Sequence, residues 1–225
     1  MSPRRPTVGR WSALGAAIAA AVALSATPAR AQITVTPAVF VAYVNHQVDI
    51  GFGDERTSGP VLGADIRVAP TSWTEVTITG YAGTLTPDSG DFDTRRMSDI
   101  ELSGSVFATP WLAFQLEARA RSYTTALARQ RWLSLTVGGE LREPMFDGAV
   151  QAVLRVGLLP AVDVSGLPSP NFAGTAGAGF QFLRAPLTGS VIFSFERYDF
   201  PTTSNGPRSE QVAMVTAQLG VRFPR

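Results

Sequence analysis

From Gln32 onward, apolar and polar residues alternate with a period of two, the signature of strands whose successive side chains face opposite ways. The clearest run is 111–123, where Leu112, Phe114, Leu116, Ala118 and Ala120 share one face and Gln115, Glu117, Arg119 and Arg121 the other. Segment 132–142 sets Leu133, Leu135, Val137 and Leu141 against Ser134, Thr136, Glu140 and Arg142. In the last segment Val215, Ala217, Leu219, Val221 and Phe223 oppose Thr216, Gln218 and Arg222. Ten strands are predicted: 33–44, 61–70, 73–84, 97–108, 111–123, 132–142, 149–159, 172–184, 189–199 and 211–223. Glycines 174, 177 and 179 soften the eighth and suggest a bend or bulge there.

The connections fall into two kinds. Those after even-numbered strands are tight and carry Pro70, Pro110, Pro144 or Pro186. Proline presets φ and lacks an N–H, which suits a turn. Those after odd-numbered strands read as longer polar loops, such as 45–60, 85–96 and 200–210. The chain is thus five hairpins of one pattern, and no linker divides it.

Alternation alone fits a soluble sandwich, a lipocalin-like barrel or a membrane barrel. Ten to twelve residues at ~3.3 Å each, tilted ~45°, cover the ~25 Å apolar band of an outer membrane. Sandwich strands are more often shorter. The polar face also argues for confinement. On strand parity its acids are Asp65, Glu75, Asp99, Glu101, Glu117, Glu140 and Glu196, and its bases Arg67, Arg119, Arg121, Arg142, Arg155 and Arg222. The near balance suits an enclosed lumen, where an unpaired charge is costly. The turns place Arg67 opposite Glu75 and Glu101 opposite Arg119. The reading is an all-β, single antiparallel up-and-down transmembrane β-barrel of about ten strands, eight being the lower bound. Its lumen is expected to be closed by this ionic network.

Aromatic residues near strand ends are expected to form two interfacial girdles: Trp73 and Trp111 beside the tight turns, and Tyr123, Trp132 and Tyr198, with Tyr43 and Phe200, at the other ends. Ahead of the strands, Arg4, Arg5 and Arg10 precede a charge-free run from Ala13 to Ala26 and the small-x-small site Ala29-Arg30-Ala31. That is the plan of a signal peptide over 1–31, with the barrel domain over 32–225. Cleavage removes four arginines and turns the net charge of +1 negative. The expected location is the outer membrane.

The leader, the proline-turned hairpins and the alternating last strand resemble the small bacterial outer-membrane β-barrel proteins, the group around the transmembrane domain of outer membrane protein A. The resemblance spans the whole mature chain and rests on pattern rather than on a diagnostic motif. It implies outer-membrane lipids and the barrel-assembly machinery as partners, with Phe223 as the terminal aromatic signal, followed here by Pro224 and Arg225.

Composition narrows the chemistry. The near-neutral charge removes bulk electrostatic binding of nucleic acid, and the absence of cysteine excludes thiolate chemistry. No phosphate loop, cofactor fingerprint or metal-ligand spacing appears. His46, the only histidine, is expected on a solvated loop beside Asp49 rather than as a catalytic base. The acidic stretch Asp88-Ser89-Gly90-Asp91-Phe92-Asp93 is expected to be a solvated loop rather than a calcium site. The function expected is non-enzymatic: envelope structure and a narrow pore. A surface-binding protein acting through its loops, an outer-membrane enzyme and a soluble periplasmic ligand-binding barrel are the alternatives.

Overall fold

A computed structural model describes residues 33–51, 53–89, 93–203 and 206–224. The leader 1–31 and the centre of the acidic loop, 90–92, lie outside the described residues. The rest is a closed, all-antiparallel barrel of ten long strands. These are β1 Thr34–Asp49, β2 Asp54–Thr71, β3 Thr74–Pro87, β4 Arg95–Thr109, β5 Leu112–Thr124, β6 Arg129–Met145, β7 Val150–Val164, β8 Phe172–Arg184, β9 Leu187–Thr203 and β10 Gly206–Val221. A two-residue segment, β11 Phe223–Pro224, continues the last strand beyond Arg222 and pairs with the start of β1. Each strand pairs with its sequence neighbours, and β10 closes on β1 from Ala38↔Gly220 to Asp49↔Ser209. Closure leaves no free sheet edge.

Most strands are longer than the sequence pattern predicts, chiefly at one end of the barrel. The expected loop 45–60 is mostly hairpin, because β1 and β2 stay paired up to Asp49↔Asp54. Pro60 sits on the outer face, opposite Tyr43, and does not end β2. Likewise β3 runs to Pro87 and β10 starts at Gly206. Strand β7 passes Pro160 through a register shift that opposes Leu135 to Ala161 and Val137 to Leu158. The extra residue switches parity, so that Val162 and Val164 point inward above the bulge. The tight-turn end, where the described chain also begins and ends, is called the turn end below; the other is the loop end.

The outer face changes character along the barrel axis. Toward the turn end it carries an unbroken apolar band, with Leu62, Ile78, Ile100, Phe114, Leu158 and Leu219 among its most exposed members. Between Leu133 and Leu141 on β6, or Val191 and Phe195 on β9, no outward residue is charged. Toward the loop end the outward positions become polar: Asn45 and Gln47, Ser98 and Arg96, Arg131 and Arg129, Arg197 and Asp199. The inner face inverts in step, as shown below.

The band sets a test of parity and height together. Leu116→Arg, outward at mid-band, should cost about 2–4 kcal/mol of stability in lipid, whereas Gln211→Arg, on the outer face above the band, should cost about 0–1 kcal/mol. Equilibrium urea unfolding in vesicles reads both; equal costs would contradict the assigned band.

Candidate functional site

The inward side chains of β4, β5 and β9 meet at mid-barrel in one ionic cluster. Strand register sets its first contacts, because Asp99 stands opposite Arg121 and Glu101 opposite Arg119, the latter as the turn at Pro110 predicts. Arg121 Nε donates to Asp99 Oδ2 at 2.6 Å, and its Nη1 reaches across the lumen to Glu196 Oε2 at 2.7 Å. Arg119 Nη2 donates to Glu101 Oε2 at 2.7 Å and lies 2.9 Å from Glu117 Oε1; its Nη1 pairs with Glu196 Oε1. Tyr198 OH donates to Glu196 Oε2 at 2.8 Å and Tyr81 OH to Asp99 Oδ2 at 3.0 Å. Each arginine thus ties together strands that are not neighbours in the sheet, which fixes the bore's cross-section.

A second cluster lies nearer the turn end. Glu140 is fully buried and accepts from both Arg142 Nε and Arg155 Nε, the latter from directly across the β6–β7 ladder. Gln115 Nε2 donates to the same carboxylate at 3.3 Å. Arg142 also approaches Glu75 at 3.6 Å, and its guanidinium lies over the Phe107 ring, 4.5 Å from the centroid. The pairing of Arg67 with Glu75 differs from expectation. A register shift after Val68 puts Arg67 opposite Thr77, and the two charges meet diagonally at 3.5 Å. Asp65 accepts from Gln218 rather than from an arginine. Arg222 does not join the network: it is exposed at the turn end and forms no ion pair among the described residues, since the strand breaks there and leaves its side chain at the mouth.

Above the mid-barrel cluster, toward the loop end, the interior is apolar. Val44, Val61, Leu85, Met97, Val164 and Val212 close on a set of aromatic rings. Here four of the expected girdle residues are corrected. Tyr123, Trp132, Tyr198 and Phe200 are 4%, 5%, 2% and 5% exposed and point into the barrel, not into an interface. Trp132 stands edge-on to Tyr198 at 5.0 Å, to Phe200 at 6.1 Å and to Tyr123 at 6.5 Å between ring centroids. Such edge-to-face pairs are favourable beyond the area they bury. Parity carried the signal: Tyr123 follows Arg121 by two residues, Tyr198 follows Glu196 by two, and Trp132 precedes Ser134 by two. Phe40 packs edge-on to Tyr81 at 5.9 Å over Gly63, where an added Cβ would collide with the Phe40 ring and approach Tyr81 Cβ to 2.6 Å. Trp73 and Trp111 lie half exposed at the turn end.

His46 is likewise not on a loop. It lies inside β1, 1% exposed, with its ring stacked 4.6 Å from that of Tyr123. Its Nε2 is 3.1 Å from Glu210 Oε2, and Arg208 Nη2 donates to the other oxygen of that carboxylate at 2.6 Å. The His46–Glu210 contact is thus buried within the apolar layer. Sequence reasoning missed Glu210 and Arg208 because it counted them as loop.

Below the mid-barrel cluster, hydroxyls line the space that remains. A cavity of about 200 Å³ is bounded by Thr79, Ser103, Thr136, Ser194 and Thr216, with Glu101, Glu117 and Arg119 on its wall. A second, of about 250 Å³, lies toward the turn end between Thr34, Gln151, Gln181 and Arg222 and shares Asp65, Arg67, Glu75, Ser190 and Gln218 with the first. Spare volume of this order is expected when ten strands replace the eight that side chains just fill.

The network makes a specific energetic prediction. Arg121→Met leaves the fully buried Asp99 carboxylate with only the Tyr81 hydroxyl and Arg119 Nε at 3.8 Å, and should cost about 3–5 kcal/mol, although Arg119 still holds Glu196. Arg155→Met should cost less, because Arg155 is partly exposed and Arg142 still holds Glu140. Unfolding titrations of the two variants check the order; the reverse order would contradict the geometry.

No protein-family profile matches the sequence, and no curated protein does. Among solved structures, the chain is similar to the outer membrane protease OmpT from Escherichia coli, at 10% identity over 86% of this chain and 97% of that one, with a TM-score of 0.48. It is also similar to the translocator domain of the autotransporter NalP from Neisseria meningitidis, at 12% identity over 94% and 96% of the two chains and a TM-score of 0.48. Neisserial surface protein A matches at 10% identity over 83% and 97%, with a TM-score of 0.38. These likenesses concern the fold alone.

Proposed function

We propose that the chain is an integral outer-membrane β-barrel with a structural role in the envelope, without enzymatic activity, whose bore is closed toward the loop end. The observation that carries this reading is the apolar band on the outer face. It runs around all ten strands, includes Leu62 at 70% exposure, and contains no charge. A soluble monomer rarely exposes a continuous apolar patch beyond a few hundred Å². Lipid is the medium that removes such a band from water, and about ten tilted residues per strand match its ~25 Å thickness. The turn end then faces the periplasm and the loop end the exterior, as short periplasmic turns require.

The interior supports a closed bore. The ionic cluster narrows the middle, and above it a packed layer of apolar and aromatic side chains fills much of the bore toward the loop end. This differs from closure by charges alone, because removing the charges leaves the layer of Trp132, Tyr198 and Phe200 in place. At the loop end the described connections 125–128 and 165–171 have four and seven residues, since much of the expected loop sequence is paired strand, which favours a structural role over adhesion through long loops. The buried state of His46 argues against its use as a base on an external substrate.

Fractionation and electrophysiology test the proposal. The protein should partition with outer membranes and migrate faster on gels when unheated. In planar bilayers the native current should stay near baseline. Glu101→Ala combined with Arg119→Ala should leave it there, whereas Trp132→Ala combined with Tyr198→Ala should raise it. A large, steady native current would overturn the closed-bore reading, and a soluble, lipid-free protein the whole proposal.

A further inference from the structure

The outward arginines at the loop end fall into two groups. On β2 and β9 each is neutralised by an aspartate two residues away on the same face: Arg56 Nε to Asp54 Oδ2 at 3.0 Å, and Arg197 Nε to Asp199 Oδ1 at 3.0 Å. On β4 and β6, Arg96, Arg129 and Arg131 are exposed and form no ion pair among the described residues. The outward carboxylate of the adjacent strand, Asp163 on β7, stands opposite Leu133 and pairs with none of them.

Register groups the three. Arg96 is opposite Thr124 and Thr124 opposite Arg129, while Ser98 is opposite Ser122 and Ser122 opposite Arg131. With strands ~4.8 Å apart and ~3.3 Å per residue, the cationic stems stand roughly 7–12 Å from one another. Between them lies a floor of hydroxyls, in which Ser98 Oγ and Ser122 Oγ are 2.8 Å apart and Arg129 Nη2 reaches Ser122 Oγ at 3.5 Å. The patch sits directly above the apolar band, since Leu133 and Ile100 are the last apolar outward residues below Arg131 and Ser98. That is headgroup depth for the outer leaflet.

We infer that Arg96, Arg129 and Arg131 form a binding site for a phosphorylated glycolipid headgroup of the outer leaflet. Guanidinium groups match phosphate by paired charge-assisted hydrogen bonds, and the serine and threonine hydroxyls supply further donors for sugar and phosphate oxygens. The acyl chains of the same lipid would lie along Ile100, Ala120 and Leu133. The site rests on the membrane reading above, with the loop end outside.

The test uses the full chain refolded in detergent, titrated with bisphosphorylated lipid A and with its dephosphorylated form, bound fractions being read by native mass spectrometry. The phosphorylated lipid should bind more tightly. Arg96→Gln with Arg129→Gln and Arg131→Gln should weaken that binding by roughly tenfold or more, given the usual worth of a basic residue against an anionic lipid surface. Arg56→Gln with Arg197→Gln, removing two self-paired arginines, should leave it unchanged. Heat-modifiable migration confirms that each variant is folded. Equal binding of the two lipids, an unaltered affinity in the triple variant, or an equal loss in the control variant would overturn the site. Failure of the native chain to insert into vesicles would overturn the membrane reading with it; insertion with unaltered affinity in the triple variant would overturn the site alone.

Discussion

Along most strands of this barrel the outer face changes from apolar to polar, and the rest of the molecule follows from where the change occurs. Near the turn end the outside is apolar and the inside polar: on β9, Val191, Phe193 and Phe195 face out while Ser190, Ser194 and Glu196 face in. A few residues further along the same strand, Arg197 and Asp199 face out while Tyr198 and Phe200 face in. Strands β5 and β6 repeat the switch, from Ala120 outside and Arg121 inside to Thr124 outside and Tyr123 inside, and from Leu133 outside to Arg131 outside and Trp132 inside. The lower part combines an apolar outside with a polar lumen; the upper part combines a polar outside with a largely apolar core, as a water-soluble barrel does. Because side chains alternate strictly, polarity can invert without any change in backbone course.

Two kinds of interior stabilisation result. In the lower part, charges cannot be left alone away from water, so Arg119 and Arg121 share carboxylates from three strands, and Arg142 and Arg155 share Glu140. Such a set adds little net stability against an apolar filling, yet loss of one member is costly, so it favours one cross-section over alternatives. In the upper part, edge-to-face aromatic packing around Trp132 fills the bore, and truncating a ring would leave a cavity. His46, Glu210 and Arg208 form a small ionic set of their own within it.

The lower barrel was legible in the sequence because its alternation carries a strong apolar contrast. The tight turns at Pro110 and Pro186, the inward parity of Glu101, Glu117, Arg119 and Glu140, and the Glu101–Arg119 register all follow from it. The upper barrel was harder to read because its contrast reverses and weakens. Val44-Asn45-His46-Gln47-Val48 alternates too, but with the polar residues outside, so a rule that seeks apolar-out strands ends β1 too early and makes His46 a loop residue. Tyr123, Trp132, Tyr198 and Phe200 stand near strand ends, where a girdle is expected, but their parity turns them inward. The proline rule also failed at Pro60 and Pro160, where an outward ring and a bulge let a strand continue, and at Pro70 and Pro144, which lie inside the ends of β2 and β6 just before their turns. Arg222 had the right parity but stands beyond the last full pairing of its strand.

The height at which the outer medium changes is the central claim, and the absence of cysteine makes it directly measurable. Single cysteines placed along β9, at Val191, Phe193, Phe195, Arg197 and Asp199, carry a nitroxide label in the vesicle-reconstituted protein. Collision rates with oxygen, which concentrates in lipid, and with a water-soluble nickel chelate are then compared site by site. The account predicts oxygen-dominated collisions at Val191, Phe193 and Phe195, crossing to chelate-dominated collisions at Arg197 and Asp199. Chelate access along the whole series, or no crossover between Phe195 and Arg197, would contradict it.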